Sequence, residues 1–475
     1  MSLDPPPPAP NSQKNLILRS LEKLDSRYRP QFYVINKRPG KFFYTDKLTM
    51  TILDSPAKHS GDISSVAVIF VPPYRESDPI FSTEGCFQIL LEKRFQRVIL
   101  IGNDVSTSEK PSNFHRLNPI SFEERKSLIA YWNHNITKFC PNSAFEVKFL
   151  TCKDDNVIAR EFNEDDLKGE IVGNMFVCNV EIDSRKSYSN EREFRRRLFF
   201  KQTLDFVQCE MILIPVEAID AYSDVDLGKD KFVVDTMVLI QPHLIAMVNS
   251  ISLISAYLGE RIQGGSKPRV LCLGVGGGAL VTFLTDVLKF DVVGVEADYA
   301  VLEVARVFFD LEQGQFLRLI VGNGIKLVEQ LAFQEVDNLV DLSTEFKEKV
   351  DTCLIPVTKL YTKFDVIMID LVSKDGSYPI CAPPSDFGNI TVLEAAKTVL
   401  TMDGMIVINV IPKDESFEPL ANNLRQVFTE LYEVEVNDNN HVLIATVSAI
   451  EDDDSFMRKL GGAVSLEFLS SIHKM

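Results

Sequence analysis

The sequence has few cysteines and no closely spaced pair of them. Its 475 residues include eight cysteines, and none belongs to a Cys-x-x-Cys motif. Structural zinc sites depend on such paired ligands, so we predict no metal site. Scattered cysteines in a chain of this length are typical of reduced, mostly buried thiols of an intracellular protein.

Long apolar stretches are also missing. No run approaches the ~20 uninterrupted apolar residues that cross a bilayer, so we predict no contact with a membrane. The N-terminus, Met1–Asn11, is polar and rich in proline. It lacks the basic and apolar regions of a secretory signal. These absences predict a cytoplasmic protein.

Cations are scarce relative to anions. Lys and Arg number 50 against 67 Asp and Glu, which gives a formal charge of −17. This excess disfavours non-specific binding to nucleic acid, which depends on contacts between cations and phosphates. It leaves a basic protein or a small molecule as the partner. The hydrophobic share of 45% is that of a globular protein.

Changes in composition and in the pattern of apolar residues along the chain predict five regions. Their order is a disordered Pro-rich tail at 1–14, a small α/β module at 15–160, a β-rich segment with a connecting helix at 161–260, a ligand-binding α/β domain at 261–450, and an acidic tail with a helix at 451–475. In the small module, a buried strand at Ser65–Val71, a helix at Gly85–Phe95 and a strand at Arg97–Gly102 form a predicted βαβ unit.

The β-rich segment contains short strands without intervening helices, which predicts antiparallel pairing. Its segments are Glu170–Ile182, Phe194–Lys201 and Val207–Ile214. A cationic run, Arg192–Arg197, has two interpretations. The simpler one is a solvated strand edge, where charge prevents pairing between sheets. The other is a patch that faces an acidic substrate.

Strands and helices alternate from Arg269 onwards, which predicts a doubly wound parallel sheet with helices on both faces. A turn is expected at Thr401–Gly404 and a surface insertion at Phe333–Lys363. At the end, two strands joined by the Asn437–Asn440 turn predict a hairpin. The sheet should therefore finish with an antiparallel strand.

A glycine-rich loop, Gly274–Gly278, follows the first strand of this domain and opens a helix. Gly274 permits a tight turn, and Gly276, Gly277 and Gly278 let a ligand approach the backbone. The loop fits both S-adenosylmethionine and the dinucleotide pattern G-x-G-x-x-A of NAD enzymes. The terminal hairpin and the single adenosine half-site favour S-adenosylmethionine.

Polar residues follow the next strands of the sheet. Glu296 can accept hydrogen bonds from both hydroxyls of an adenosine ribose. Asn323, followed by Gly324, can contact an adenine edge or cap the next helix, and the two roles are compatible. Asp370 ends the fourth strand, where it can orient a cationic cofactor or an amine, or accept a proton. The histidines are interpreted as structural or surface residues, with His243 as a weak exception.

These residues resemble those of known enzymes. The domain resembles the spermidine-synthase-like branch of class I methyltransferases. Within that branch the chain is most similar to the family of methyltransferase-like protein thirteen, dual methyltransferases of translation elongation factor one alpha. The stretches that carry the resemblance are Val71-Pro-Pro-Tyr-Arg-Glu76, Phe194-Arg-Arg-Arg-Leu198, Leu273–Gly278, Asp365–Asp370, Ser373-Lys-Asp375, Cys381-Ala-Pro-Pro384 with Phe387, and Asn439–Leu443.

The resemblance implies an enzyme that methylates a protein lysine with S-adenosylmethionine. It places Gly274, Gly276, Gly278 and Glu296 in the cofactor site and Asp370 at the active-site carboxylate. With one glycine-rich loop, the chain is expected to match the middle and C-terminal part of the family, without the domain that methylates an α-amino terminus. Asn323 and Val372 each stand where the family has Asp.

Two other functions stay open at this point. The same scaffold supports aminopropyl transfer to a polyamine, although those enzymes carry D-x-x-D-P after the fourth strand. Here the acids are Asp370 and Asp375, and Gly376 replaces the proline. The chain could also be a degenerate methyltransferase fold that binds a protein partner, and cofactor affinity would separate this alternative from the two enzymes.

Overall fold

The computed structural model describes most of the chain between Arg29 and Met475. The described residues are 29–37, 42–43, 45–55, 65–72, 75, 78–92, 95–104, 122–141, 146–150, 157–163, 167–182, 192–203, 206–217, 225–333, 363–372, 382–412, 416–437, 440–450 and 472–475. The predicted N-terminal tail, nearly all of the insertion, the Ser373–Asp375 stretch and Cys381 lie outside them.

The described strands form three sheets, the first of which is the predicted small module. Its order is β1-β2-β4-β3-β5. Strands β3 and β4 pair in parallel, and helix α1 (Thr83–Glu92) lies between them in the chain, so the predicted βαβ unit is confirmed. The strands of this sheet are Gln31–Ile35 (β1), Lys47–Asp54 (β2), Ser65–Phe70 (β3), Arg97–Asn103 (β4) and Glu146–Leu150 (β5).

The second sheet is antiparallel throughout, as predicted. Its order is β11-β10-β9-β8-β6, and the short strand β7 pairs with β8. One face packs into the same core as the third sheet, through Met175, Leu198 and Met211. The strands are Val157–Phe162 (β6), Leu167–Gly169 (β7), Gly173–Ile182 (β8), Glu193–Phe200 (β9), Cys209–Pro215 (β10) and Phe232–Asp235 (β11).

Both interpretations of the Arg192–Arg197 run are wrong. Strand β9 is central in its sheet, between β8 and β10, so it offers no edge. The arginines are bound within the protein: Arg192 pairs with Glu181, and Arg197 pairs with Glu210. The carboxylates come from the adjacent strands β8 and β10. These strands are separate in the sequence, so the local sequence around the arginines does not reveal the pairs.

The third sheet is the doubly wound sheet. Its order is β14-β13-β12-β15-β16-β18-β17-β19. Strands β12 to β16 are parallel, and β18 and β17 form the predicted antiparallel hairpin. The strands are Arg269–Leu273 (β12), Asp291–Glu296 (β13), Leu317–Val321 (β14), Phe364–Ile369 (β15), Leu400–Val410 (β16), Glu430–Asn437 (β17), Asn440–Thr446 (β18) and Ile472–Lys474 (β19).

Helices cover both faces of the third sheet. Alternate residues of β12 enter different cores: Val270 and Cys272 face one side, and Leu271 and Leu273 the other. A strand buried on both faces explains its uninterrupted apolar sequence. The described α-helices are Thr83–Glu92 (α1), Phe122–Ile136 (α2), Pro242–Asn249 (α3), Ser255–Gln263 (α4), Ala279–Asp286 (α5), Tyr299–Phe309 (α6), Gly324–Phe333 (α7), Ile390–Val399 (α8) and Glu418–Val427 (α9).

One local prediction in this domain is wrong. No turn separates α8 from the next strand at Thr401–Gly404, because β16 runs from Leu400 to Val410 and takes up those residues as an irregularity in its pairing with β15. The acidic run and helix expected within 451–475 lie outside the described residues, except at the end, where Ile472–Lys474 adds strand β19 to the edge of β17. The limits drawn between the five regions stay predictions, and β6 crosses the one at 160.

One helical run has the length and hydropathy of a membrane span. It covers Pro242–Gln263, and 67% of its most apolar window is buried inside the protein. The run is α3 and α4 joined by a 3₁₀ turn at Ser250–Ile254. Its buried side chains, among them Leu244, Met247 and Leu258, belong to the main core. Burial of this kind is what a core helix requires.

Candidate active site

The glycine loop is held against the end of β15 by its first glycine. Gly274 has a φ of +90°, and a Cβ added there would lie 2.1 Å from the carbonyl oxygen of Asp370. Only glycine combines this conformation with so close an approach. The strands also meet through hydrogen bonds, since Asp370 N donates to Leu273 O at 2.9 Å. The loop and Asp370 are therefore adjacent.

The other loop glycines have different surroundings. A side chain at Gly276 would meet no atom within 4 Å, so this position opens into a cavity. Gly277 lies against Cys209 of β10, whose Sγ would be 2.4 Å from an added Cβ. Gly278 takes a left-handed conformation before α5 and packs against Leu311. Gly276 thus provides the open approach that the sequence predicted.

Glu296 ends β13 beside the loop. Its Oε2 accepts hydrogen bonds from Val275 N at 3.1 Å and from Gly276 N at 3.2 Å. Its Oε1 accepts one from Asp298 N at 3.2 Å. Burial raises the pKa of Glu296 above its usual value, although these backbone N–H groups favour the charged form. The carboxylate is fixed by the backbone and faces the same cavity.

Asp370 follows β15 on the other side of the loop. Its Oδ1 accepts a hydrogen bond from Asn409 Nδ2 at 2.8 Å, and its Oδ2 lies 3.6 Å from His243 Nε2. Burial alone would raise the pKa of Asp370. The attraction of the His243 imidazole, which is positive when protonated, and the hydrogen bond from Asn409 outweigh burial, so the pKa of Asp370 is lowered. The group is therefore a carboxylate at neutral pH.

These groups line one cavity at the carboxyl ends of β12, β13 and β15. Strand β12 has neighbours on both sides that follow it in the chain, so the cavity lies at the switch point where open α/β sheets bind ligands. Five predicted site residues line it. The lining residues are Ile171, Val172, Phe200, Thr203, Phe206, Gln208, Cys209, Gln241, His243, Leu244, Gly274–Gly277, Ala279, Leu280, Glu296, Ala297 and Asp370–Val372.

Three predicted cofactor residues are not in that lining. Gly278 caps α5, Gly324 begins α7, and Asn323 is exposed before it. The capping role of Asn323 is confirmed, because its Oδ1 accepts hydrogen bonds from the N–H groups of Ile325 and Lys326 at 3.0 and 3.2 Å. A contact of these three residues with a cofactor stays a prediction.

The cavity fits S-adenosylmethionine in its chemistry. Carboxylates stand on both sides of the glycine loop: Glu296 would hold the ribose hydroxyls, and Asp370 lies where a cationic group would be stabilised. Gly276 leaves room for a ligand against the backbone. Apolar side chains, including Phe200, Phe206 and Leu371, supply most of the remaining wall.

Sequence reasoning missed several of these groups or gave them little weight. His243 was only a weak candidate, and Gln241, Cys209 and Asn409 were not candidates at all. The signal for His243 was its place in the first turn of a helix after Gln-Pro. No local signal marks Asn409, which lies on β16 and contacts Asp370 at the end of the adjacent strand β15. Asp375 lies outside the described residues. No group of His, Cys, Asp or Glu side chains in the described part of the chain could hold a metal ion.

The sheet order, the glycine loop and the terminal hairpin define a class I methyltransferase fold. The expected sequence resemblance is confirmed too. The chain is 24% identical over 416 residues to a Xenopus laevis protein named "eEF1A lysine and N-terminal methyltransferase". A Drosophila melanogaster homologue is 24% identical over 429 residues, and the Homo sapiens protein 23% identical over 421.

These alignments cover 84%, 88% and 82% of this chain and 53–54% of the relatives. The chain therefore spans about half the length of the curated relatives it matches. No family profile matches the chain.

Similar solved structures include human methyltransferase-like protein 13 in complex with SAH, 23% identical with a TM-score of 0.37. It aligns to 49% of this chain and 91% of its own. A probable spermidine synthase from Corynebacterium glutamicum is 14% identical with a TM-score of 0.38. That alignment covers 66% of this chain and 89% of the other.

Proposed function

We propose that this protein is an S-adenosylmethionine-dependent methyltransferase that acts on a lysine of a protein such as eEF1A. The names of its relatives support the reaction and the substrate. The observation that carries the proposal is the cavity at the switch point of the sheet. There the glycine loop, Glu296 and Asp370 meet in the arrangement that a cationic nucleoside cofactor requires.

Each residue has a role in this proposal. The loop from Gly274 to Gly277 would lie along the cofactor, and Glu296 would accept hydrogen bonds from the ribose. When bound, the cofactor supplies an activated methyl group. Asp370 would hold the incoming lysine ammonium by charge. Most of the catalysis then comes from placing the amine in line with the methyl group, which proximity and orientation accomplish.

The test is methyl transfer from tritiated S-adenosylmethionine to purified eEF1A, with Asp370→Ala as the control. Label on a lysine, absent in the control, supports the proposal. Cofactor binding without transfer would point to another substrate or to a need for the part of the relatives that lies outside the alignment. Loss of both would leave a binding module. In a separate assay, transfer of an aminopropyl group from decarboxylated S-adenosylmethionine to a polyamine would favour the other enzyme.

The cellular setting is part of the same proposal. A translation factor as substrate implies a cytoplasmic enzyme, which the sequence also predicts. Microscopy of a fluorescent fusion would test this, and an exclusively nuclear signal would contradict it. The absence of metal, nucleic acid and membrane from its function stays a prediction from composition.

A further inference from the structure

The cavity contains a histidine with no role in the function proposed above. His243 Nε2 lies 3.6 Å from Asp370 Oδ2, and the His243 side chain is only 11% exposed. The other carboxylate oxygen is occupied by Asn409. Asn409 therefore fixes Oδ1 of the carboxylate, and Oδ2 faces the imidazole.

The position of His243 is set by the fold. It lies in the first turn of α3, after the N-cap Gln241 and Pro242. The Gln241 side chain accepts a hydrogen bond from Glu210 N of β10 at 3.1 Å. Helix α3 also packs on β16, β17 and β18 of the doubly wound sheet. An imidazole anchored by two sheets can keep a defined geometry towards a substrate.

We propose that His243 accepts the proton of the substrate amine and that Asp370 orients its imidazole. This inference rests on the methyltransferase function proposed above. A lysine amine has a pKa of ~10.4 and is protonated at neutral pH, so its lone pair becomes available only after a proton leaves. In a neutral imidazole one nitrogen donates and the other accepts. With Nε2–H facing Asp370, Nδ1 keeps the accepting lone pair.

The proposed step balances in protons and electrons. An N–H bond of the ammonium breaks, and its proton passes to Nδ1. The carboxylate of Asp370 stabilises the imidazolium that forms. The amine lone pair then forms the bond to the methyl carbon, while the S–C bond breaks and its electrons remain on sulfur. The imidazolium later returns its proton to water.

Other ionisable groups around His243 leave Asp370 as its charged partner. Burial raises the pKa of Cys209 to about 12 and also raises the pKa of Cys272, so both thiols are neutral. Glu296 lines the same cavity but is bonded to the glycine loop. Three acidic groups on the strands beneath α3 have partners elsewhere: Asp403 with Ser448, Glu430 with Lys474, and Glu433 with His441. Glu435 of β17 is exposed.

The experiment is a pH–rate profile of His243→Gln, which can still donate a hydrogen bond to Asp370 but cannot take up a proton. At pH 7 we expect kcat to fall about 10²-fold, a usual contribution of a proton acceptor. The deficit should shrink as pH rises towards the lysine pKa. The Kd for S-adenosylmethionine should change less than about threefold. His441→Gln is the matched control, because His441 pairs with Glu433 at 2.8 Å outside the cavity lining.

Asp370→Asn provides an independent variant. Without the carboxylate the imidazolium is less stable, so the ascending limb of the profile should move to lower pH. An active wild type with an unchanged His243→Gln profile would overturn this inference alone. If the wild type binds cofactor and methylates no lysine of eEF1A, the proposed function fails and this inference fails with it. If His243→Gln does not fold, an Asp370→Asn profile without the shift overturns it.

Discussion

Asp298 holds the backbone of Ile171, which is 127 positions away in the chain, by a 2.6 Å hydrogen bond from Ile171 N to its Oδ2. The same oxygen accepts a second bond from Val172 N at 3.0 Å. Its Oδ1 caps α6 through Ala300 N. Because Ile171 and Val172 line the cavity, one buried carboxylate fixes the β7–β8 turn over the candidate cofactor site.

Asp298→Asn should release that turn. The amide oxygen can still cap α6, but an NH₂ group would replace the acceptor for two N–H donors. Bonds to a charged acceptor contribute about 1.5–3 kcal/mol each. We therefore expect the amides of Ile171 and Val172 to exchange with deuterium at least about tenfold faster, and S-adenosylmethionine to dissociate faster. The exposed Asp286→Asn is the control. Unchanged exchange at both amides would contradict the role of Asp298.

Glu296→Gln should weaken cofactor binding. A neutral amide makes weaker hydrogen bonds with ribose hydroxyls than a carboxylate does. Its NH₂ group also cannot accept the backbone bonds that reach both oxygens of Glu296. We expect a rise of about 10- to 100-fold in Kd by calorimetry. The exposed Glu312→Gln should leave the Kd unchanged, and a Kd equal to that of wild type would remove Glu296 from the cofactor site.

Asp370 should make stability depend on pH in the acid range. Its pKa is lowered in the folded protein, so its contribution is present above the unfolded value near 3.8 and is lost as pH falls through the lower folded value. In Asp370→Asn we expect a shallower decrease in unfolding free energy between pH 5 and 3 (about these limits). Urea titrations of both proteins measure this slope. Equal slopes, with Asp386→Asn as reference, would show that the carboxylate is not stabilised.

The parts of the site that the sequence predicted all follow one rule. Parallel strands end at the same edge of a sheet, so the residues after β12, β13 and β15 had to lie close together. Gly274, Glu296 and Asp370 could be found this way because each belongs to a local strand-and-turn pattern. The doubly wound sheet and its hairpin were predictable for the same reason.

Contacts between distant segments were not predictable. His243 reaches Asp370 because α3 packs across the sheet, and Asp298 reaches Ile171 because the second sheet packs on α6. The Arg192–Arg197 run was misinterpreted because charge density does not tell a central strand from an edge. Its carboxylate partners, Glu181 and Glu210, come from adjacent strands that only the fold brings together.

The small module contains a buried ion pair whose disruption should destabilise it. The Arg97 side chain is fully buried, and its Nη2 donates to Asp54 Oδ2 at 2.9 Å. Removing one partner of such a pair leaves an uncompensated charge and costs about 3–5 kcal/mol. Asp54→Ala should therefore lower the unfolding free energy of the module by that amount. The chain's single tryptophan, Trp132, lies in the core of this module, so its fluorescence reports on the packing of this module.

Two further variants of the same sheet test whether the unpaired charge causes the loss of stability in Asp54→Ala. Lys148 and Glu146 form an exposed pair on β5 at 3.1 Å, and Glu146→Ala should change stability by less than about 1 kcal/mol. The double variant Asp54→Leu with Arg97→Met replaces the buried charges by apolar groups, so it should be more stable than Asp54→Ala alone. If the double variant is as unstable as Asp54→Ala or worse, the loss comes from packing or from the bond of Arg97 to Phe139 O, and the unpaired charge is not its cause.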